Sequence, residues 1–364
     1  MQRGGTYEVL SRIASSLDVV RAKLFGFSAR TAALRAFVIH KDVRINTLCL
    51  GQAALAGAAA LFCPSLLLVL GPLVLGVPHV ASDVRYLVLR RPGPRAFGYA
   101  VVGFSVALLC LRLIETAYLG DPRFAGVELA LVTLWLWVSA SLAAPGPRRT
   151  WALVGTLVLG YVALGEPTLA RVIFAHAHNL VAIVVWYALF RPRRASSLLP
   201  LACILLGAGA LFWFGGTVPE RFGLPECFDL HIEAAARWLA PGVASEHQLG
   251  LVLSYAFLQS VHYAIWLFLL PLDAHPSRGS ATFSMSLQSA WRDFRGWGLG
   301  FIALGVVTVS VAAVLDPLTT SAVYLFVTPF HGYLELAVLA AWLATPSRAI
   351  ATEGTPAGCR ALSN

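Results

Sequence analysis

The chain has 364 residues, of which 58% are hydrophobic and only 12% are charged. Soluble globular domains carry about 25% charged residues, so this composition excludes that class and indicates a polytopic membrane protein. The formal net charge of +9 does not indicate a nucleic-acid partner, because Lys and Arg fall mostly between long apolar segments, where they orient helices in the membrane.

The first 44 residues are mixed and basic, and they lack the compact apolar segment of a cleavable signal peptide. They predict either a solvated basic tail or an amphipathic helix on the cytoplasmic membrane surface, over about residues 9–37. The basic residues of that segment are Arg12, Arg21, Lys23, Arg30 and Arg35.

Residues 45–345 contain about ten apolar segments of the length that a helix needs to cross a bilayer. They predict an all-α transmembrane helix bundle, followed by a cytoplasmic tail at residues 346–364. The predicted spans are 45–64, 66–89, 96–116, 126–144, 150–164, 168–190, 197–215, 249–271, 297–315 and 320–344. The one long external loop, at 216–248, contains a predicted surface helix from Asp229 to Leu239, which is either a connector or a lid.

Basic residues mark every second connection between the predicted spans. They are Arg90, Arg91, Arg95, Arg148, Arg149, Arg191, Arg193, Arg194, Arg278, Arg292, Arg295 and Arg348. The intervening connections are neutral or acidic on balance, with Glu166 and Asp316 as examples. Since Lys and Arg are retained on the cytoplasmic side, this alternation predicts that both termini are cytoplasmic.

Four histidine-containing segments fall on the second, sixth, eighth and tenth predicted spans. They are 76–79, 175–179, 259–262 and 329–331. These spans run in the same direction, and each histidine lies about ten to thirteen residues from the external end, which is roughly 15–20 Å. That depth is near the middle of a hydrocarbon core about 30 Å thick. Because imidazole is costly in hydrocarbon, the matching depth predicts one shared metal centre.

The expected metal ligands are His79, His262 and His331, together with either His176 or His178. Residues two apart on a helix point about 200° away from each other, so only one member of the second motif can face the centre. We prefer His178 for this position.

Two acidic residues each follow a histidine by four positions, which places both groups on one helix face. Asp83 follows His79, and Glu335 follows His331. Each carboxylate is a candidate catalytic group that either binds the metal or, as we favour, accepts a proton from the ligand ring. In the alternative interpretation, both carboxylates lie near the cytoplasmic interface of the membrane and are paired with Arg85 or with water.

Imidazole suits iron, copper, zinc and nickel, and the absence of Cys and Met near the motifs disfavours cuprous copper. The candidate substrate-binding residues are the aromatic residues Tyr263, Trp266, Phe330 and Tyr333, although packing is the default role for each alone. Apolar surroundings without an obvious nucleophile favour redox chemistry on a lipid-soluble substrate over hydrolysis.

The order of these motifs resembles the Brp/Blh family of bacterial and archaeal membrane carotene dioxygenases. The resemblance rests on Gly-Val-Pro-His-x-x-x-Asp at 76–83, His-Ala-His at 176–178, His262, and Thr-Pro-Phe-His at 328–331. It covers short stretches of four helices, and only the first motif is moderately specific. It implies Fe²⁺ bound by histidines and cleavage of a carotenoid to retinal or a related apocarotenal.

The chain departs from the family pattern at three positions. Asn179 follows the second motif where the family has glycine and an acidic residue, and Trp266 stands where a second histidine is common. Phe330 separates Pro329 from His331. A different polyene or lipid substrate is therefore compatible with the motifs.

We therefore expect a multi-pass protein of the bacterial inner membrane that uses Fe²⁺ and dioxygen to cleave or oxidise a lipid-soluble polyene. Two alternatives remain open. One is an electron-transfer protein that holds haem b between two histidines, and the other is a proton or metal-ion transporter.

Overall fold

The computed structural model describes residues 5–28, 31–90, 93–118, 121, 123–190, 195–215, 239–240, 244–274 and 282–345. Every regular element within these ranges is helical, which confirms the predicted all-α fold. The predicted tail at 346–364, most of the external loop 216–248, and all of its surface helix except Leu239 lie outside the described residues. So do several of the basic residues used for orientation, which are Arg30, Arg91, Arg191, Arg193, Arg194, Arg278 and Arg348.

The described helices are numbered α1 to α15. They are α1 Gly5–Ser28, α2 Ala32–Ile39, α3 Lys41–Phe62, α4 Pro64–Leu70, α5 Gly76–Asp83, α6 Arg95–Ala117, α7 Arg123–Ser141, α8 Pro147–Gly165, α9 Pro167–Val185, α10 Leu198–Phe214, α11 Ser245–Ala264, α12 Leu270–Ala274, α13 Phe283–Leu315, α14 Pro317–Val327 and α15 Phe330–Ala344.

Within the described part of the chain, eight helical segments are long and apolar enough to cross a membrane. They are Lys41–Phe62, Pro64–Leu89, Arg95–Thr116, Arg123–Ser141, Pro167–Ala188, His247–Ala274, Phe283–Leu315 and Pro317–Ala344. The fifth and seventh predicted spans correspond to α8 and to α10, which is apolar but has only 17 residues. The multi-pass architecture is therefore supported, while the count of ten and the cytoplasmic termini stay predictions.

The chain divides into two compact units. The first comprises Met1–Arg85 and Ala182–Ala322, and the second comprises Tyr86–Val181 and Val323–Asn364, each considered over its described residues.

In the first unit, α3, α10 and α11 pack tightly because glycines leave room for a neighbouring backbone carbonyl and for the Phe257 ring. An added Cβ on Gly250 of α11 would collide with the backbone carbonyl of Phe212 on α10. The ring of Phe257 on α11 lies 3.3 Å from the Cβ position of Gly207 and 3.9 Å from that of Gly57. Glycine at these positions lets the helix backbones approach one another, which is the usual basis of helix association in membranes.

The second unit is built from α6, α7, α8 and α15. Helix α9 packs against α7 and α8 through Ala170 and Phe174. Helices α7 and α8 approach closely at Gly160, where an added Cβ would collide with the side chain of Thr133. Helix α15 packs on α6, α7 and α8, and it buries His331 and Glu335.

Segments with π-helical geometry flank the first histidine motif. Pro64–Leu89 is one continuous helical segment, in which π-helical turns at Gly71–Leu75 and Val84–Leu89 lie on either side of α5. Another π-helical turn, Ile265–Leu269, begins three residues after His262. Such turns inside α-helices are frequent at functional sites. Both histidine motifs of the first unit therefore lie next to one.

The predicted tenth span is divided into two helices. Helix α14 ends at Val327 and α15 begins at Phe330, because Pro329 has no amide hydrogen to continue the helical hydrogen bonds. The break places His331 in the first turn of α15.

Helix α1 packs on α13, which is longer than its predicted span of 297–315. The Tyr7 and Trp291 rings meet edge to face at 4.9 Å, and the Asp18 carboxylate accepts hydrogen bonds from the amides of Phe283 and Ser284. Helix α13 is kinked at Arg295, whose positive φ of 56° is unusual for a residue with a side chain.

Candidate metal centre

In the first unit, His79 on α5 and His262 on α11 form a buried pair. Their ring centroids are 5.1 Å apart and the rings meet at 75°. The side chain of His79 is 1% exposed and that of His262 is fully buried. Two helices that are distant in sequence thus present imidazoles to each other in an apolar interior.

The Asp83 carboxylate lies one helical turn beyond His79, as the spacing predicted. Its Oδ2 is 3.9 Å from His79 Nε2, which is ion-pair distance but too long for a hydrogen bond. The alternative partner, Arg85, donates from Nε to Asp293 Oδ2 at 2.6 Å. The geometry therefore associates Asp83 with His79 and Arg85 with another helix.

Helix α5 is fixed against the π-helical turn that follows α11. The Ser82 hydroxyl, next to Asp83, donates a 2.6 Å hydrogen bond to the backbone carbonyl of Trp266. This bond links the two histidine-bearing segments of the first unit and limits their relative movement.

Two of the predicted aromatic residues surround this pair. The Tyr263 ring lies 4.6 Å from the His79 ring, and the Trp266 ring lies 6.5 Å from the His262 ring. The Tyr263 hydroxyl accepts a hydrogen bond from Gln259 Nε2 at 3.4 Å. Gly71 provides room for the Tyr263 ring, which lies 3.2 Å from the position of an added Cβ.

In the second unit, His178 on α9 and His331 on α15 form a second pair. Their ring centroids are 5.4 Å apart and the rings meet at 87°. Gly332 permits this approach, because its added Cβ would lie 3.0 Å from the Cβ of His178. Of the two candidates in the His-Ala-His motif, His178 is thus the one whose ring lies against His331, and His176 is two residues away on the same helix.

Both rings of the second pair are oriented by their own helices. The Nδ1 of His178 lies 2.7 Å from the carbonyl oxygen of Ala175. The Nδ1 of His331 is hydrogen-bonded to the carbonyl oxygen of Thr328. A carbonyl oxygen only accepts, so Nδ1 carries the proton in each neutral ring. The lone pair then lies on Nε2, the nitrogen that a metal ion would bind.

The remaining predicted residues of the second unit lie close to His331. Glu335 is fully buried one turn further along α15, and the Phe330 ring is 6.3 Å from the His331 ring. The Tyr333 ring meets Phe174 edge to face at 6.2 Å, and its hydroxyl donates to Glu128 Oε1 at 2.8 Å. The polar end of Tyr333 is therefore engaged by the protein.

A largely buried group of charged residues in the second unit was not predicted from the sequence. The charged residues are Arg112 and Glu115 on α6, Glu128 on α7 and Arg171 on α9. Together with Tyr333 they are called the Glu128 cluster. Ionisable residues within apolar spans are rare and costly, so their presence in the sequence was a usable signal.

The donor set suits a transition metal. Two pairs of imidazoles in apolar surroundings match the ligand type of histidine-ligated sites. The Asp83 carboxylate beside His79 and the carbonyl oxygens at Nδ1 of His178 and His331 match the outer partners of such ligands. Imidazole nitrogen binds iron, copper, zinc and nickel, so the donor atoms alone fit Fe²⁺ without selecting it.

Comparisons with protein-family models, curated protein sequences and solved structures gave no match to this chain.

Proposed function

We propose that the protein is an integral-membrane, Fe²⁺-dependent oxygenase that uses dioxygen to cleave or oxidise a lipid-soluble polyene of the carotenoid type. The observation that carries the proposal is the close histidine pair in each unit, His79 with His262 and His178 with His331. His79, His262 and His331 are buried, and His178 is partly buried. Packing alone would rarely place two imidazole pairs inside apolar helices, because ionisable side chains are costly within membrane spans.

The proposal assigns both pairs to one centre on the basis of sequence position. The four histidines lie at similar depth on helices that the charge pattern orients in the same direction. We also propose that the chain crosses a bacterial inner membrane ten times and has both termini in the cytoplasm. A site near the middle of the bilayer suits oxidation near the middle of a long apolar molecule.

Each group of residues has a defined role in this proposal. The four histidines hold the metal through imidazole nitrogens, and Asp83 orients the ring of His79. Glu335 takes the alternative role of a direct metal ligand, because Nδ1 of His331 is held by Thr328 and its Nε2 is assigned to the metal. Tyr263, Trp266 and Phe330 form apolar walls that exclude water and accommodate the polyene. Iron supplies the one-electron chemistry with dioxygen that amino-acid side chains lack.

Metal analysis of the purified protein tests the assignment. We expect stoichiometric iron in the wild type and its loss in His79→Ala, His178→Ala, His262→Ala and His331→Ala, with helicity unchanged by circular dichroism. His176→Ala is the matched control on α9 and should keep its iron. Full iron retention in both His79→Ala and His331→Ala would refute the proposal.

The activity is tested in carotenoid-producing cells that express the protein. We expect apocarotenal products with the wild type and none with His331→Ala. A Soret band in the purified wild type would instead support the haem protein. Ion flux in proteoliposomes that persists after metal removal would support the transporter.

A further inference from the structure

The Glu128 carboxylate on α7 is joined to three other helices, α6, α9 and α15, through charge and hydrogen bonds. Its Oε1 accepts from Arg112 Nη2 at 2.8 Å and from the Tyr333 hydroxyl at 2.8 Å. Its Oε2 lies 2.5 Å from Arg171 Nη2. Glu128 is 1% exposed, so these contacts are made away from solvent.

Two of these partners lie on the helices that carry the second histidine pair. Arg171 precedes His178 by seven residues on α9, which is about two turns and roughly 10 Å along the same face. Tyr333 follows His331 by two residues in the first turns of α15. The Glu128 carboxylate therefore links α9 to α15 about two turns before His178, toward the N-terminal end of α9.

Contacts continue from the cluster to the histidines. Phe174 on α9, between Arg171 and His178, meets the Tyr333 ring edge to face at 6.2 Å. One turn further along α9, His178 lies against Gly332 and His331. The two helices thus contact each other at three successive levels, and the Glu128 level is the only one of these three that contains charged side chains.

Buried ion pairs contribute little net stability compared with apolar residues of similar volume, whereas removing one partner leaves a costly buried charge. A defined geometry is a better explanation for such a group than stability. Arg112 also lies over the Phe326 ring at 4.8 Å, so its guanidinium is held on two sides.

We propose that Glu128 is a positioning residue for the candidate metal centre: by holding Arg171 of α9 and Tyr333 of α15, it sets the ring of His178 against that of His331. The importance of this geometry for catalysis rests on the proposed oxygenase function, but the geometry itself is measurable without metal.

Glu115 provides a matched control within the same cluster. Its carboxylate accepts from Arg171 at 2.7 and 3.0 Å and from Arg112 at 3.3 Å. These contacts join α6 to α9, and no described hydrogen bond or ion pair joins Glu115 to α15. Glu115→Gln and Glu128→Gln therefore remove the same charge from the same cluster, but only Glu128→Gln weakens the link to α15.

The first measurement is disulfide formation in membranes between cysteines placed at 178 and 332, with each single-cysteine variant as a control. We expect rapid crosslinking in the otherwise wild-type chain and with Glu115→Gln, and at least severalfold slower crosslinking with Glu128→Gln. Tyr333→Phe removes only the hydroxyl and should also slow crosslinking, so the test stands even if Glu128→Gln folds poorly.

The second measurement is Co²⁺ binding to the purified full chain with His178 and Gly332 intact. We expect Glu128→Gln and Tyr333→Phe to change the ligand-field spectrum of Co²⁺ and to weaken its binding severalfold, because the ring of His178 would no longer be held against that of His331. Glu115→Gln should match the wild type in spectrum and affinity.

The two measurements separate the two proposals. Unchanged crosslinking in both Glu128→Gln and Tyr333→Phe, or equal slowing in Glu115→Gln, would overturn the positioning role. Slower crosslinking in Glu128→Gln and Tyr333→Phe alone, combined with no Co²⁺ or iron binding by the wild type, would support the positioning role and refute the metal centre.

Discussion

The two nitrogens of the His331 ring have separate tasks. Nδ1 is hydrogen-bonded to the Thr328 carbonyl at the break before α15, which leaves the lone pair of the neutral ring on Nε2. The first nitrogen thus fixes the start of a helix and the second is available for chemistry. His178 repeats this division of roles on α9, with Ala175 as the acceptor.

Substitution of His331 by Asn separates the two tasks. The Asn side-chain amide reaches the position of Nδ1 and keeps a donor for the Thr328 carbonyl, but it has no atom at the position of Nε2. We expect His331→Asn to keep a melting temperature within a few degrees of wild type and to lose its iron. Thermal unfolding and metal analysis measure the two effects, with His176→Asn as the control. An iron-replete His331→Asn protein would contradict the assignment of Nε2 as a ligand.

Individual residues of the site were predictable to the extent that spacing determines them. The spacing of four residues between His79 and Asp83 places both on one helix face, and the two side chains lie within ion-pair distance in the structure. The Glu128 cluster was not predicted, because Arg112, Glu115, Glu128 and Arg171 are far apart in sequence and only helix packing brings them together. The charge of each residue was visible, but its partners were not.

At the scale of helices, close packing in the first unit depends on glycine at the contact between α10 and α11. An added Cβ at Gly250 would meet the Phe212 carbonyl, and a backbone atom cannot move aside as a side chain can. Gly209, on α10, has open space around its Cβ position and offers a control.

We expect Gly250→Ala to destabilise the protein by about 1–3 kcal/mol, the usual cost of overpacking. Gly209→Ala should be neutral or stabilise the helix slightly, since Ala favours helix over Gly by about 1 kcal/mol. Unfolding in mixed micelles compares the two variants. Equal stability of Gly250→Ala and wild type would show that α10 and α11 separate without cost.

The contact between α1 and α13 depends on pH. Burial raises the pKa of the Asp18 carboxyl, but hydrogen bonds from Ser284 and Phe283 and the charge of Arg21 outweigh it, so the pKa lies below its ordinary value of 3.8. A lowered pKa stabilises the folded contact above that ordinary value, and the stabilisation is lost as the pH falls through the lower, folded-state pKa.

We therefore expect α1 to detach from α13 in acid. The fluorescence of Trp291, which packs against Tyr7, should change in a step as the pH falls below about 3.8, and Asp18→Asn should lose that step. Asp316→Asn is the control, because Asp316 caps α14 and lies away from α1. A step of equal size in Asp18→Asn would show that another group controls the contact.

At the scale of the whole molecule, hydropathy located the helices well, because each must be apolar over about 20 residues to cross the bilayer. All ten predicted spans overlap described helices, most with ends within a few residues. The break at Pro329 divides the tenth predicted span, and the kink at Arg295 lies just before the ninth, where α13 extends beyond the predicted limit. Both depend on local backbone geometry that average hydropathy does not report. Proline at 329 was a usable signal for its break, whereas the arginine at 295 gave no such signal.

The π-helical turn at Gly71–Leu75 absorbs one extra residue within the helical segment that carries the first motif. Because this turn winds more widely than an α-helix, deleting one residue there would restore ordinary α-helical winding and leave the buried Leu68 and His79 on nearly their present faces. A deletion between this turn and His79 would instead rotate everything beyond it by about 100°. Either Leu68 or His79 would then lose its buried position, so homologues that vary in length between these two residues should do so within the turn.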